Sequence, residues 1–255
     1  MIRFFADREN ITEDSIRLTS KDDLKHLVRV LRAKPGDPVM ISDKAEFEYL
    51  TEIESIGENE VLLRIIDRQN FATEPETEVT LYQGVPKSTK LETVVQKTVE
   101  LGIRRIVPVF MARTVVADKG NFLKKRDRLQ KIADEAVKQC KRGIIPEVTD
   151  AMDLQAMISD IRENDYDIIL IPYENEGGYS IKDALRDDPD GVNTRKGSKV
   201  ALIIGPEGGF EEDEIDLVRE ALGRKVRIVT LGRTILRTET AGMAALAMIM
   251  YELEL

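Results

Sequence analysis

The chain has 255 residues, 42% apolar and 33% charged, a composition typical of a water-soluble globular protein with enough apolar side chains for a sizeable core. A formal net charge of −9 speaks against a non-specific nucleic-acid coat, and a single cysteine, Cys140, with a single histidine, His26, argues against internal disulfides, metal clusters of zinc type and histidine-based nucleophilic relays. No apolar run reaches the roughly 18–20 residues that span a bilayer, and the N-terminus lacks a signal peptide's apolar stretch, so a cytoplasmic protein with no membrane partner and no metal is expected.

In chain order, apolar residues at 24, 27, 28 and 31 have helical spacing, and residues 39–41, 47–56 and 61–66 are rich in strand formers. Lys34-Pro35-Gly36-Asp37 and residues 55–59 are turn signals. Short strands, tight turns and one helix over residues 1–70 predict a small β-barrel. Residues 71–78, polar and broken by Pro75, read as a linker. Strand patterns at 79–83, 106–110, 168–171, 200–204 and 226–230 then alternate with helical patterns at 90–101, 122–141, 154–163, 212–222 and 238–252. That alternation over residues 79–255 predicts an α/β domain with a mostly parallel sheet, whose ligands sit at the carboxyl ends of strands.

Charge is unevenly spread. From Lys119 to Arg142 there are nine basic and three acidic residues, and from Lys87 to Arg105 five and two. Each run alone reads as a solvated helix face; two so close in sequence point to a surface for a polyanion.

Three strand ends are candidates for chemistry. Pro172-Tyr173-Glu174 leaves the first. Ile204-Gly205-Pro206-Glu207-Gly208-Gly209-Phe210 leaves the second; its glycines permit close backbone approach to a flat ligand, or simply make a tight turn. It is neither a P-loop nor a dinucleotide fingerprint. Residues 231–241 (Leu-Gly-Arg-Thr-Ile-Leu-Arg-Thr-Glu-Thr-Ala) leave the third and enter a nearly all-apolar helix, which Thr238 or Thr240 is placed to cap. Arg233 and Arg237 either reach a phosphate or carboxylate together or pair with Glu239 to hold the loop.

Four blocks carry a family resemblance: His26-Leu27-Val28-Arg29-Val30-Leu31-Arg32 with Pro35-Gly36-Asp37; Lys87 to Lys90 with Gln96-Lys97-Thr98-Val99-Glu100-Leu101-Gly102; the Gly205–Phe210 loop; and Leu231-Gly232 with residues 235–241. In this order the chain resembles the RsmE family of 16S ribosomal RNA methyltransferases, within the SPOUT superfamily. Val99 stands where a smaller residue is expected.

The resemblance implies a PUA-like N-terminal barrel, a trefoil-knotted catalytic domain, a homodimer, and S-adenosylmethionine as cofactor with S-adenosylhomocysteine as product. The implied reaction is methylation of uridine N3 in 16S ribosomal RNA, free or within the small subunit. Rivals are a knotted methylase acting on a ribose hydroxyl or a tRNA base, and a non-catalytic PUA-type RNA-binding factor. The implied cofactor residues are Pro172, Tyr173, Glu174, Ile204, Gly205, Pro206, Glu207, Gly208, Leu231, Gly232, Ile235, Leu236, Arg237, Thr238 and Ala241, with backbone at Gly205, Leu231 and Leu236 reading the adenine. Arg237, then Arg233, are the candidates for stabilising a uridine anion, and Glu207 is either a base or a helix cap. Arg3, Arg29, Arg32, Lys87, Lys90, Lys97, Arg113 and Arg142 are the expected RNA contacts.

Overall fold

Alternating buried and exposed side chains give the N-terminal strands one apolar face. In the computed structural model, which describes residues 3–71, 74–115, 122–174, 177–186 and 194–255, these strands are β1 (Arg3–Phe5), β2 (Ser15–Leu18), β3 (Pro38–Ser42), β4 (Phe47–Ile56) and β5 (Val61–Asn70). The start of the basic run at Lys119 lies outside the described residues. The strands pair in the order β1-β3-β4-β5-β2, with β1 parallel to β3 and the other pairs antiparallel. Register shifts at Leu50/Thr51 and Ile53/Ser55 mark irregularities that bend the long β4–β5 ribbon. Ile16, Leu18, Ile41, Ile53, Val61 and Leu63 form the core of this face, with Leu27 added from a short helix.

That helix differs from the expected single turn pattern over 24–31. α1 (Lys21–Lys25) starts at Ser20, whose hydroxyl accepts from the Asp23 N–H, and then widens into a π-helical turn at His26–Val30, closed by Leu31 N–H donating to His26 O at 3.0 Å. β1 and β2 were not expected because three- and four-residue strands carry too few alternations to stand out.

The chain divides into two compact units, with the break after Glu74 inside the stretch expected to be a linker, but a segment from much later in the chain joins the first unit. Met1–Glu74 cluster with Val137–Ile145, while Pro75–Ala136 cluster with Pro146–Leu255. A buried ion pair explains the grouping. Glu74 accepts from Arg142 Nη2 at 2.8 Å, from Gly143 N–H at 2.6 Å and from Ile144 N–H at 3.1 Å. Both side chains are buried. Arg142 is therefore committed inside the first unit, which corrects its expected role as a phosphate contact. Arg3 is corrected for the same reason: its guanidinium is turned onto the Glu48 carboxylate and the Lys141 carbonyl.

In the second unit, β6 (Glu78–Gly84), β7 (Arg105–Phe110), β8 (Glu147–Val148), β9 (Met152–Asp153), β10 (Ile168–Pro172), β11 (Lys199–Ile204) and β12 (Val226–Val229) form a parallel sheet. Its order is β12-β10-β11-β6-β7-β8, with β9 also on β7. The central strands are near-continuous apolar runs, as expected of a sheet covered on both faces. The helices are α2 (Lys90–Glu100), α3 (Phe122–Cys140, whose last residues from Val137 are counted with the first unit), α4 (Leu154–Asn164), the short α5 (Ile181–Arg186), α6 (Glu212–Leu222) and α7 (Thr238–Glu254). α7 packs on α2, α5, β6 and β11 and buries Ala245, Leu246 and Ile249. Among the described residues no helix is long and apolar enough to cross a membrane.

A polar knot of side chains pins α4 to the sheet. Tyr82 Oη donates to Asp160 Oδ2 at 2.6 Å, and Arg105 grips both oxygens of Asp160 at 2.8 and 3.0 Å. Burial pushes the Asp160 carboxyl up, but Arg105 and Tyr82 outweigh it and hold it below the usual range. A depressed carboxyl contributes stability that is present above its unfolded value, about 4, and is lost as pH falls through the folded value. Asp160→Asn is thus expected to cost about 1–2 kcal/mol at neutral pH. It also flattens the acid limb of the stability curve, which chemical unfolding at pH 7 and pH 3 measures; equal losses at both pH values would refute the linkage.

Candidate active site

Because β10 pairs in parallel with β11 and β12, and β11 with β6, their carboxyl ends share one edge, and backbone groups there are free to meet ligands. β10, β11 and β12 lie together at that edge. The loops that leave them enclose a cavity of about 390 Å³, within the range of small-molecule sites. Of the residues expected to hold the cofactor, all but Gly208 line it, together with Lys90, Gly209, Phe210, Thr230, Arg233 and Thr234.

The wall from β11 is shaped by close packing. A methyl group on Gly205 would stand 3.1 Å from the Phe210 ring, and Gly209 adopts φ +72° while its N–H donates to Pro206 O at 2.9 Å. Gly208 turns away from the cavity. Its carbonyl accepts from Arg113 Nη1 at 2.9 Å, and a methyl there would meet Arg113 Cβ at 2.9 Å. The loop also crosses the end of β6, where a methyl on Gly84 would lie 2.4 Å from Pro206 N.

Beneath this crossing, Gln83 Nε2 donates to Thr238 Oγ1 at 2.8 Å, and Thr238 Oγ1 donates to Gly205 O at 2.6 Å. The Thr238 hydroxyl is thus spent on the crossing and does not cap α7, contrary to expectation. The N-cap is Arg237, whose carbonyl accepts from the N–H groups of Thr240 and Ala241 at 2.8 Å each. Gln83 was missed in the sequence because one polar residue inside a strand pattern gives no sign of what it meets.

Charge at the cavity is divided. Arg233 and Arg237 are exposed, and among the described residues neither forms an ion pair, so the alternative in which they pair with Glu239 is not realised. Glu239 pairs instead with Lys90, at 3.3 Å, and Lys90 also reaches Glu207 at 3.2 Å. Glu207 further accepts from the Lys87 N–H at 2.9 Å. Burial pushes the Glu207 carboxyl up, but the Lys87 N–H, its own backbone and the Lys90 ammonium hold it below the usual range. A carboxylate so stabilised is a poor proton acceptor.

The remaining expected RNA contacts are distributed over both units. Arg29 and Arg32 are exposed on and just beyond the π turn, and neither is ion-paired among the described residues. Lys97 is partly tied up with Glu100 at 2.9 Å, and Arg113 is about half exposed.

A family model described as an RNA methyltransferase domain matches residues 73–250, and one described as an RNA methyltransferase PUA domain matches residues 18–66. The chain is 34% identical to the ribosomal RNA small subunit methyltransferase E of Bacillus subtilis, covering 100% of this chain and 98% of that one. The chain belongs to the ribosomal RNA small subunit methyltransferase E family. It is an RNA methyltransferase, and the same family accounts for the agreement in fold. A crystal structure of the Neisseria gonorrhoeae family member bound to S-adenosyl methionine has a TM-score of 0.78 at 25% identity, covering 99% of this chain and 98% of that one. A putative methyltransferase from Legionella pneumophila in complex with the same cofactor has a TM-score of 0.77 at 30% identity, covering 98% and 97%.

Proposed function

We propose that this protein transfers the methyl group of S-adenosylmethionine to N3 of a uridine in 16S ribosomal RNA of the small subunit, releasing S-adenosylhomocysteine. It acts in the cytoplasm as a homodimer, with a PUA-like barrel docking RNA and a trefoil-knotted domain carrying the site. The observation that carries the reading is the cavity at the carboxyl ends of β10, β11 and β12, in a chain of this family. Its residues fit the cofactor. Gly205 leaves a cradle that a methyl group would narrow against Phe210, and Ile235, Leu236 and Ala241 give apolar walls. Backbone at Gly205, Leu231 and Leu236 reads the adenine, and Pro172, Tyr173 and Glu174 lie toward the ribose. The crossing of the 205–210 loop over Gly84, tied by Gln83 and Thr238, supports the knotted reading.

When bound, the cofactor supplies an electrophilic methyl on a positive sulfur. The protein's task is to orient the uracil in line with it and to favour loss of the N3 proton. Arg237, assisted by Arg233, stabilises the negative charge that develops on the uracil oxygens. Glu207, held as a carboxylate by Lys87 and Lys90, stays out of proton transfer, and the proton passes to water. Arg29, Arg32, Lys87 and Arg113 supply phosphate contacts that weaken with salt.

Labelled cofactor incubated with small subunits lacking the modification, followed by mapping of the label, tests the assignment. Label on uridine N3 is expected; label on ribose or on tRNA overturns the target, and absence of label overturns the activity. Arg237→Ala is expected to slow transfer about a hundredfold, with cofactor affinity by calorimetry little changed. Normal turnover would remove Arg237 from the mechanism.

A further inference from the structure

Lys90 was expected on the RNA-facing surface, yet it lies in the wall of the cavity between two carboxylates drawn from different segments. Glu207 belongs to the loop after β11, and Glu239 to the first turn of α7. Their side chains are only 24% and 17% exposed, and Lys90 itself is 30% exposed. Two carboxylates so placed repel one another unless a cation stands between them. The segment that brings the cation is itself unusual. Ser88, two residues before Lys90, has φ +55°, a left-handed conformation that a non-glycine residue rarely takes and that persists only where its surroundings enforce it. Just before that bend, the Lys87 N–H points at the same Glu207 oxygen that Lys90 reaches.

We infer that residues 87–90 form a clasp, with Lys90 as its central positioning residue, that joins the 205–210 loop to the start of α7 and so holds the cofactor cradle closed. The inference rests on the proposed cofactor site. It assigns Lys90 to the cofactor's side of the reaction and not to RNA. Both walls it joins contribute cavity residues: Gly205 and Pro206 from one, Arg237, Thr238 and Ala241 from the other. Without the cation, two partly buried like charges face each other across the seam. The walls part, and the cradle must be re-formed each time the cofactor binds.

Calorimetry of S-adenosylmethionine binding to the full chain tests this, with thermal unfolding to confirm that each variant folds. Lys90→Met is expected to raise the dissociation constant roughly tenfold, whereas Lys90→Arg, which still spans two carboxylates, stays within about threefold. Removing one of the repelling charges in the Lys90→Met background, by Glu239→Gln, is expected to recover most of the loss. Binding to an unmodified 16S ribosomal RNA fragment should stay within about twofold of wild type for all variants. Lys90→Met with unchanged cofactor affinity and weakened RNA binding would overturn the clasp and return Lys90 to the RNA surface. A double variant no better than Lys90→Met would also overturn it, since the repulsion would then be absent. Wild-type protein that fails to bind the cofactor would overturn the functional reading itself, a different outcome from failure in the variant alone.

Discussion

Gly84→Ala should destabilise the catalytic unit by roughly 3 kcal/mol or more and abolish high-affinity cofactor binding. The added methyl would sit 2.4 Å from Pro206 N and 2.7 Å from Gly205 C, and both are backbone atoms. A flexible side chain would swing aside, but here either β6 or the 205–210 loop must move. β6 is locked between β11 and β7, in register from Glu78 to Gln83 on one side and from Thr80 to Gly84 on the other. The loop is the element that gives way. Its displacement breaks the Thr238–Gly205 hydrogen bond and reshapes the cavity wall. A drop of about 10 °C in the unfolding midpoint, together with loss of measurable cofactor binding, is the expected result. Gly177→Ala is the control, because a methyl there meets nothing within 4 Å. If the two variants behaved alike, the crossing of the loop over β6 would be wrong.

The same crossing explains what the sequence reveals and what it hides. Periodicity marks the longer strands and helices of the second unit because each buries apolar residues at a fixed interval, whereas β8, β9 and α5 are too short to show one, and the glycine-rich loop after β11 stands out by composition alone. These local signals are enough to place the cavity at the strand ends. What meets what across the chain is not local. Gln83 and Thr238 are 155 positions apart, and neither residue type signals the other. The role of Gly84 is equally hidden, since a glycine closing a strand reads as an ordinary turn. Lys90 illustrates the opposite error. A lysine at the start of a helix, in a basic stretch, reads as a surface cation, and only the fold reveals that two distant carboxylates flank it. That residues 137–145 join the first unit was hidden for the same reason: Glu74 sits in a stretch that looks like a linker, while its partner Arg142 lies in a basic run that looks solvated.

That buried pair supports the last expectation. Glu74→Ala should cost about 3–5 kcal/mol, because it takes the carboxylate away from a buried guanidinium. The loss exceeds that of an ordinary ion pair since the Glu74 carboxylate also accepts from the N–H groups of Gly143 and Ile144, which would be left without that partner. Space around the pair is tight as well, a methyl on Gly143 lying 2.3 Å from the Phe71 ring, so little relaxation is available. Replacing both members with methionine removes the buried charge and should recover much of the stability, in keeping with the general behaviour of buried pairs. Chemical unfolding of Glu74→Ala, Arg142→Met and the double methionine variant separates these cases. A double variant as unstable as Glu74→Ala would mean that the backbone hydrogen bonds, and not the ion pair, hold residues 137–145 in the first unit. Cofactor affinity well below the unfolding midpoint should be unchanged in all three, because Glu74 and Arg142 contribute nothing to the cavity lining.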